Sequence, residues 1–416
     1  MTKRTFTEET IDRDNGRMAQ PYDAVIVGAG ILGLSTARQI LLERPRSRVL
    51  VLEKELHVAR HQTGHNSGVI HSGIYYAPGS LKARLCVEGK RLLERYADER
   101  GIRRLERGKL IVALDESELA RLSELDRRGR ANGVVGLRVV DEDALREIEP
   151  NIRGIRGLHA PHTGVIDYTQ VAGEFAADIE RAGGEIALNT EAGSVAETAR
   201  GVEVATSTEA VRSRVVVACA GLQADRFAGS TTGDERIVPF RGNYYTLSPQ
   251  AAGLVNGLVY PVPNPAFPFL GVHFTKQVDG TVVAGPNAVL ALARERYGRV
   301  GFSARDVAAT FTYPGFWRFA TSHLGAGAAE VWRDISKRAF VRDVQRYLPA
   351  ISDTDVVGGP SGIRAQALTR DGRLSDDFIL RGSGRVIHVL NAPSPAATSS
   401  LAIGAHIAGL ALRALS

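Results

Sequence analysis

The run "YDAVIVGAGILGLSTARQILLE" at residues 22–43 constrains the fold more than any other part of the chain. Val25, Ile26 and Val27 form the short apolar run of a buried parallel strand. Gly28, Gly30 and Gly33 follow as G-x-G-x-x-G, and from Leu34 apolar residues recur at helical spacing through Ala37 and Leu41. A lone glycine triplet says little. Between a buried strand and a helix it predicts a dinucleotide site, because each glycine then has a task. Gly28 allows the tight turn, Gly30 lets backbone approach a pyrophosphate, and Gly33 lets helix and strand pack closely. The free N–H groups of Ile31, Leu32 and Gly33 and the positive end of the helix suit phosphate.

The next strand, "RVLVLEKE", ends at Glu53, followed by Lys54. An acid there accepts hydrogen bonds from ribose hydroxyls and repels a 2′-phosphate. A middle strand, "RVVVACAG", ends in small residues at Gly221, and the last strand and helix carry "NAPSPAATSSLAIG". A ligand touching the start, middle and end of one chain is long, which favours FAD over NAD. Val195, in "EIALNTEAGSVAE", and Ala396 and Thr398 near the end complete the expected cofactor contacts.

Strand and helix signals alternate at the start, middle and end, and an antiparallel-looking block lies between. Helices are expected at about 82–100, 116–132 and 304–347, and a small-residue helix at 398–415. The predicted fold is α/β: a discontinuous, Rossmann-like FAD-binding domain with an inserted α+β substrate domain built on an antiparallel sheet. The expected boundaries give residues 21–105, 150–228 and 355–416 to the FAD-binding domain, and 106–149 and 229–354 to the substrate domain. Residues 1–20 mix acids and bases without an apolar core, so they read as a disordered tail and not as a signal peptide.

Net charge is +6, but Arg is interleaved with Glu and Asp, as in "ARLSELDRRGR", which argues for solvated surface and against nucleic acid. Two cysteines, Cys86 and Cys219, stand far apart without metal-like spacing, and no apolar run reaches the length of a membrane span. A cytoplasmic protein is expected, with peripheral contact at the inner membrane face left open by the basic balance.

The segments "HQTGHNSGVIHSGIYYAPGSLKARLC", "PFLGVHFT", "GPSGIRAQAL" and "NAPSPAATSSLAIG" together resemble the L-2-hydroxyglutarate oxidase/dehydrogenase family. That family lies in the D-amino-acid-oxidase-like flavoenzyme superfamily, beside glycerol-3-phosphate dehydrogenase and glycine oxidase. The resemblance covers nearly all of residues 22–416. It implies noncovalent FAD and oxidation of a 2-hydroxy diacid to the 2-oxo acid; the electron acceptor, oxygen or a quinone or an electron-transfer protein, stays open. It also implies that the segment after Glu53 runs along the pyrophosphate and ribityl chain. Thr63, Asn66 and Ser67 then bond phosphate and ribityl oxygens, and His71 lies beside the flavin ring.

Oxidising a 2-hydroxy acid needs a base for the hydroxyl proton and a cation for the carboxylate. His273, in "GVHFT", is the favoured base, with His71 its rival; the bland alternative is a core histidine with satisfied hydrogen bonds. Arg364, which the resemblance places after a glycine turn, is the expected carboxylate clamp unless it serves a structural ion pair. Tyr244 and Tyr245 alternate in direction, so one can close the pocket; Arg241 or Lys82 is assigned to the distal carboxylate. His61, His65 and His71 lack the carboxylate or thiolate company of a metal site, and no metal is expected. Two other readings stay open: an amine or amino-acid oxidase of the same fold, recruited to biosynthesis or not, and a flavin-binding protein without turnover.

Overall fold

The computed structural model describes residues 20–264, 270–382 and 384–416; the expected tail at 1–20 lies almost wholly outside the described residues, as does Phe269 of "PFLGVHFT". Five parallel strands build the first sheet in the order 185–187, 49–52, 22–27, 211–218 and 386–391. Val25 lies between Leu50 and Val216, and Val217 neighbours Ile387, so the start, middle and end of the chain meet side by side. An antiparallel ribbon, Ala192–Thr198 and Gly201–Thr206, extends it beside Val211–Ala218. The single expected strand "EIALNTEAGSVAE" divides into Glu185–Ala187 and Ala192–Thr198.

One face of this sheet buries Ala24, Ile26 and Val51 against helices Ile31–Glu43, Tyr168–Arg181 and Ser400–Leu415. Helix Leu81–Arg100 packs on the C-terminal helix. It starts where Ser80 accepts a hydrogen bond from Ala83 N–H and stops at Gly101, whose φ of 65° is left-handed.

Among the described residues the second sheet has nine strands. Near one edge runs the long strand Arg236–Leu247, paired antiparallel with Val356–Leu368 and Val282–Gly285. Leu258–Pro261 and Lys109–Ala113 pair in parallel, and the other described pairs are antiparallel. Its core gathers Leu110, Val112, Phe274, Ala284 and Phe340.

Arg156–Ala160, within the expected 150–228, and Val356–Leu368, within 355–416, hydrogen-bond in the nine-stranded sheet and not in the parallel one. Strand Val356–Leu368 also overturns the glycine turn expected before Arg364: Gly358, Gly359 and Gly362 lie inside the strand, because the ladder of Arg236–Leu247 holds them extended. The helical stretch at 304–347 is four helices, Ala304–Phe311, Pro314–Ser322, Leu324–Ile335 and Lys337–Gln345.

Candidate active site

At the glycine turn, Gly28 has a φ of +100°, and a Cβ there would come within 2.5 Å of the Cys219 carbonyl oxygen. A Cβ on Gly33 would strike the Gly28 carbonyl. Gly30 differs: its nearest neighbour would be Thr63 Oγ1 at 3.6 Å, so space opens in front of the helix. Ile31 N–H donates to Thr63 Oγ1 at 3.0 Å, while Leu32 and Gly33, in the first turn, have no intrahelical acceptor for theirs. The N-cap residue, Gly30, makes no side-chain cap bond, and Thr63 is the side chain that reaches the first amide. An open glycine and the remaining free amides at a positive helix end together fit a pyrophosphate.

Buried Glu53 faces the same turn. Its Oε2 accepts from Ala29 N–H at 2.8 Å and its Oε1 from Glu55 N–H at 3.0 Å. Each oxygen keeps a lone pair, so both ribose hydroxyls can still be served. The Lys54 ammonium is paired with Glu55 and Glu295, which takes its side chain out of direct phosphate contact. Gly221 approaches the loop, where its Cβ would meet Gln62 Oε1 at 3.3 Å.

The loop at 61–76 is tied to itself and to the C-terminal segment. The Asn66 amide donates to the Gln62 and Thr63 carbonyls while its oxygen accepts from Gly68 N–H, so this side chain shapes the loop. The Ser67 carbonyl accepts from Gln277. Thr398 is fully buried, and its hydroxyl accepts from His71 N–H and meets Tyr168 Oη. Ala396 packs beside it against the first core. Two buried hydroxyls that sequence reasoning did not single out, Ser399 Oγ and Ser400 Oγ, have no hydrogen-bond partner at the start of the C-terminal helix. Val195 packs against a cluster that includes Val25, Val204 and Val216, together with Val27 and Leu52, the residues just before Gly28 and Glu53.

His61 bonds Glu55 and Tyr297, whereas His65 stacks on Tyr297 at 3.7 Å and bonds the Ser361 carbonyl, so Tyr297 engages both. Among the described residues no cluster of His, Cys, Asp and Glu is arranged to hold a metal.

His71 and His273 lie within electrostatic reach of each other. His71 Nε2 shares a hydrogen bond with Ser394 Oγ at 3.2 Å. His273 donates from Nδ1 to the Gly271 carbonyl at 2.9 Å and stacks on Tyr260 at 3.9 Å. That bond assigns the proton to Nδ1 and leaves the Nε2 lone pair as the acceptor. Burial, helped by nearby cations, pushes both imidazoles down to about 3, so both are neutral at physiological pH.

Arg364 rises from Val356–Leu368 opposite Phe240. Its guanidinium fills the room left by Gly242, where a Cβ would stand 3.1 Å from Nη2, and donates to the Asn287 carbonyl. Burial lowers its pKa and Tyr244 faces it, whereas Tyr245 turns the other way to receive Arg299 and pack on Phe340. Arg241 and Lys82 do not meet the assignment to a distal carboxylate. Arg241 is held by Asp334 and the Gly298 and Arg299 carbonyls, and Lys82 by Asp376. The cation that sequence reasoning missed is Lys109, at the head of a strand buried throughout. A lysine at a strand end usually reads as surface, and only the closed pocket shows otherwise.

Residues 23–410 match the model of the FAD dependent oxidoreductase family. The chain belongs to this family of flavoenzymes, whose cofactor is FAD. Within it, the chain is 46% identical over 413 residues to the human mitochondrial L-2-hydroxyglutarate dehydrogenase, covering 93% of this chain and 88% of that one. It is 45% identical over 390 residues to the L-2-hydroxyglutarate dehydrogenase of Salmonella houtenae, covering 93% and 92%. Among solved structures, FAD-bound L-alpha-glycerophosphate oxidase of Mycoplasma pneumoniae superposes with a TM-score of 0.77 at 23% identity, covering 95% of both chains. Glycine oxidase of Geobacillus kaustophilus does so with a TM-score of 0.68 at 18% identity, covering 94% and 95%. These two likenesses establish the fold.

Proposed function

We propose that the protein oxidises L-2-hydroxyglutarate to 2-oxoglutarate. The observation that carries this reading is the identity of about 45% to L-2-hydroxyglutarate dehydrogenases, across 93% of this chain and 88–92% of theirs. The fold alone does not choose, since structures that oxidise amines share it. FAD, when bound, would supply the two-electron acceptor for the hydride at C2. The helix that begins at Ile31, with Thr63, would hold the pyrophosphate, Glu53 the ribose, and Ser399 and Ser400 would offer hydroxyls to the cofactor.

Arg364 grips the C1 carboxylate with its planar fork. His273 takes the hydroxyl proton on Nε2, its only free ring nitrogen, while the Gly271 carbonyl keeps the ring oriented. Tyr244 closes the pocket beside Arg364. His71, tethered to Ser394, borders the same pocket. The electrons leave to oxygen or a quinone. Among the described residues no helix is long and apolar enough to cross a membrane; a location in the cytoplasm with peripheral contact at the membrane face belongs to this reading.

The deciding experiment is anaerobic bleaching of the flavin over a panel of acids. L-2-hydroxyglutarate should reduce it and yield 2-oxoglutarate. Reduction by glycine or another amino acid, with none by any 2-hydroxy acid, would make the protein an amine oxidase instead.

A further inference from the structure

Lys109 is 2% exposed and, among the described residues, forms neither an ion pair nor a hydrogen bond. Its ammonium rests on two tyrosine faces, 3.7 Å from the ring centroid of Tyr260 and 5.0 Å from that of Tyr75. Three other buried cations each hold a carboxylate: Lys82 has Asp376, Arg241 has Asp334 and Arg294 has Asp225. An ammonium taken out of water is costly unless an anion meets it, and aromatic faces offset only part of that cost. The anion is therefore to be sought outside the protein.

The surroundings say where it comes from. Tyr260, under the ammonium, also stacks on His273. Lys109 and Arg364 both act electrostatically on His273, and Lys109 acts on His71 as well. A hydroxyl at His273 thus belongs to a molecule within reach of two cations. Beside Lys109, the buried Tyr75 hydroxyl has no hydrogen-bond partner and can donate to the same anion.

We propose that Lys109 receives the second carboxylate of a dicarboxylic 2-hydroxy acid, and that it makes the site selective for diacids over mono-acids. This rests on the oxidation reading above, with Arg364 on the first carboxylate. Burial also pushes the free ammonium down to about 7, so a bound carboxylate restores its charge.

The test uses FAD-loaded wild type, Lys109→Met and Lys109→Gln. The paired substrates are L-2-hydroxyglutarate and L-2-hydroxyvalerate, which lacks the second carboxylate. Truncating one partner of a buried charge pair should lower kcat/KM for the diacid by about 30- to 1,000-fold. The mono-acid should change by less than about threefold, since it makes no contact with the lysine. Binding is read independently from the flavin spectrum, with 2-oxoglutarate and 2-oxovalerate as probes: wild type should prefer the diacid and the variants should not. Equal losses on both substrates, with 2-oxoglutarate binding intact, would overturn the proposal and put Lys109 at the reacting atoms. A wild type with no diacid preference in binding would overturn it whether or not either variant folds. If no 2-hydroxy acid reduces the wild-type flavin, the oxidation reading fails, and a 2-oxoglutarate preference that Lys109→Gln abolishes would still support the lysine as a carboxylate site.

Discussion

His273 is aimed by one backbone bond and kept neutral by burial, and these have separate consequences. The Gly271 carbonyl holds the proton on Nδ1, so Nε2 is ready to accept. His273→Ala should leave substrate binding nearly intact and slow flavin reduction by about 10²–10⁴-fold, measured by stopped flow. If His71→Ala slows reduction that far and His273→Ala does not, the base is in the loop after Glu53. Because burial pushes His273 down to about 3, the acid limb of kcat/KM should fall well below the usual imidazole range and not near neutrality. For Arg364, Lys keeps the charge but loses the two-point grip. Arg364→Lys should raise KM by about 10- to 100-fold through lost charge-assisted hydrogen bonds, and lower the reduction rate by misaligning C2.

Among elements, the glycine turn and the two long helices around it have the tightest tolerances. Gly30 is the glycine of the motif whose Cβ the protein itself would admit, so its role is to let a ligand pass. Gly30→Val should fold and yield apoprotein, read as a missing flavin absorbance with an unchanged far-UV spectrum. Gly404 shows the opposite case: a Cβ there would strike Ser35, where helices Ile31–Glu43 and Ser400–Leu415 cross. Gly404→Leu should destabilise the fold by about 1–3 kcal/mol or more through overpacking, seen as a lowered thermal midpoint.

For the whole molecule, burying neutral histidines links stability to pH. His71 and His273 titrate near 3 in the folded chain and near 6.5 when unfolded. Below 6.5 the unfolded state binds protons that the folded state refuses, so stability is lost as pH falls from about 6.5 toward 3. Each histidine contributes a slope of about 1.4 kcal/mol per pH unit within that window. Thermal unfolding of the holoenzyme should show this acid slope, and His273→Gln should make it shallower. The same scale carries a structural ion pair: Arg294 spans from Asp225 to the Leu222 and Ile237 carbonyls, joining the end of the parallel sheet to the start of the long strand. Asp225→Ala would strand that buried cation at a cost of about 3–5 kcal/mol, detectable in denaturant unfolding.

Local pattern was enough for the nucleotide half. Strand, glycine turn, helix and Glu53 are contiguous, and steric rules between near neighbours leave that stretch one arrangement, so cofactor class and parallel sheet were legible at once. The helix after Ser80 was legible too, because its caps lie within a turn of its ends. Long-range pairing decided the rest. The glycines of "VVGGPSGIRAQAL" suggest a turn before Arg364, yet the ladder of Arg236–Leu247 draws the segment into the longest strand described and so aims Arg364 at the pocket. Lys109 looks like an ordinary strand-end charge until Tyr75, Tyr260 and the two histidines close over it from three other segments. Lys82 and Arg241 were equally plausible cations in sequence, and only tertiary contact gave them Asp376 and Asp334 as partners. Charge, protonation and availability depend on which groups arrive from far along the chain and how much water they exclude. The sequence by itself determined the fold class and the cofactor cradle; the chemistry of the substrate pocket was decided when the two sheets came together.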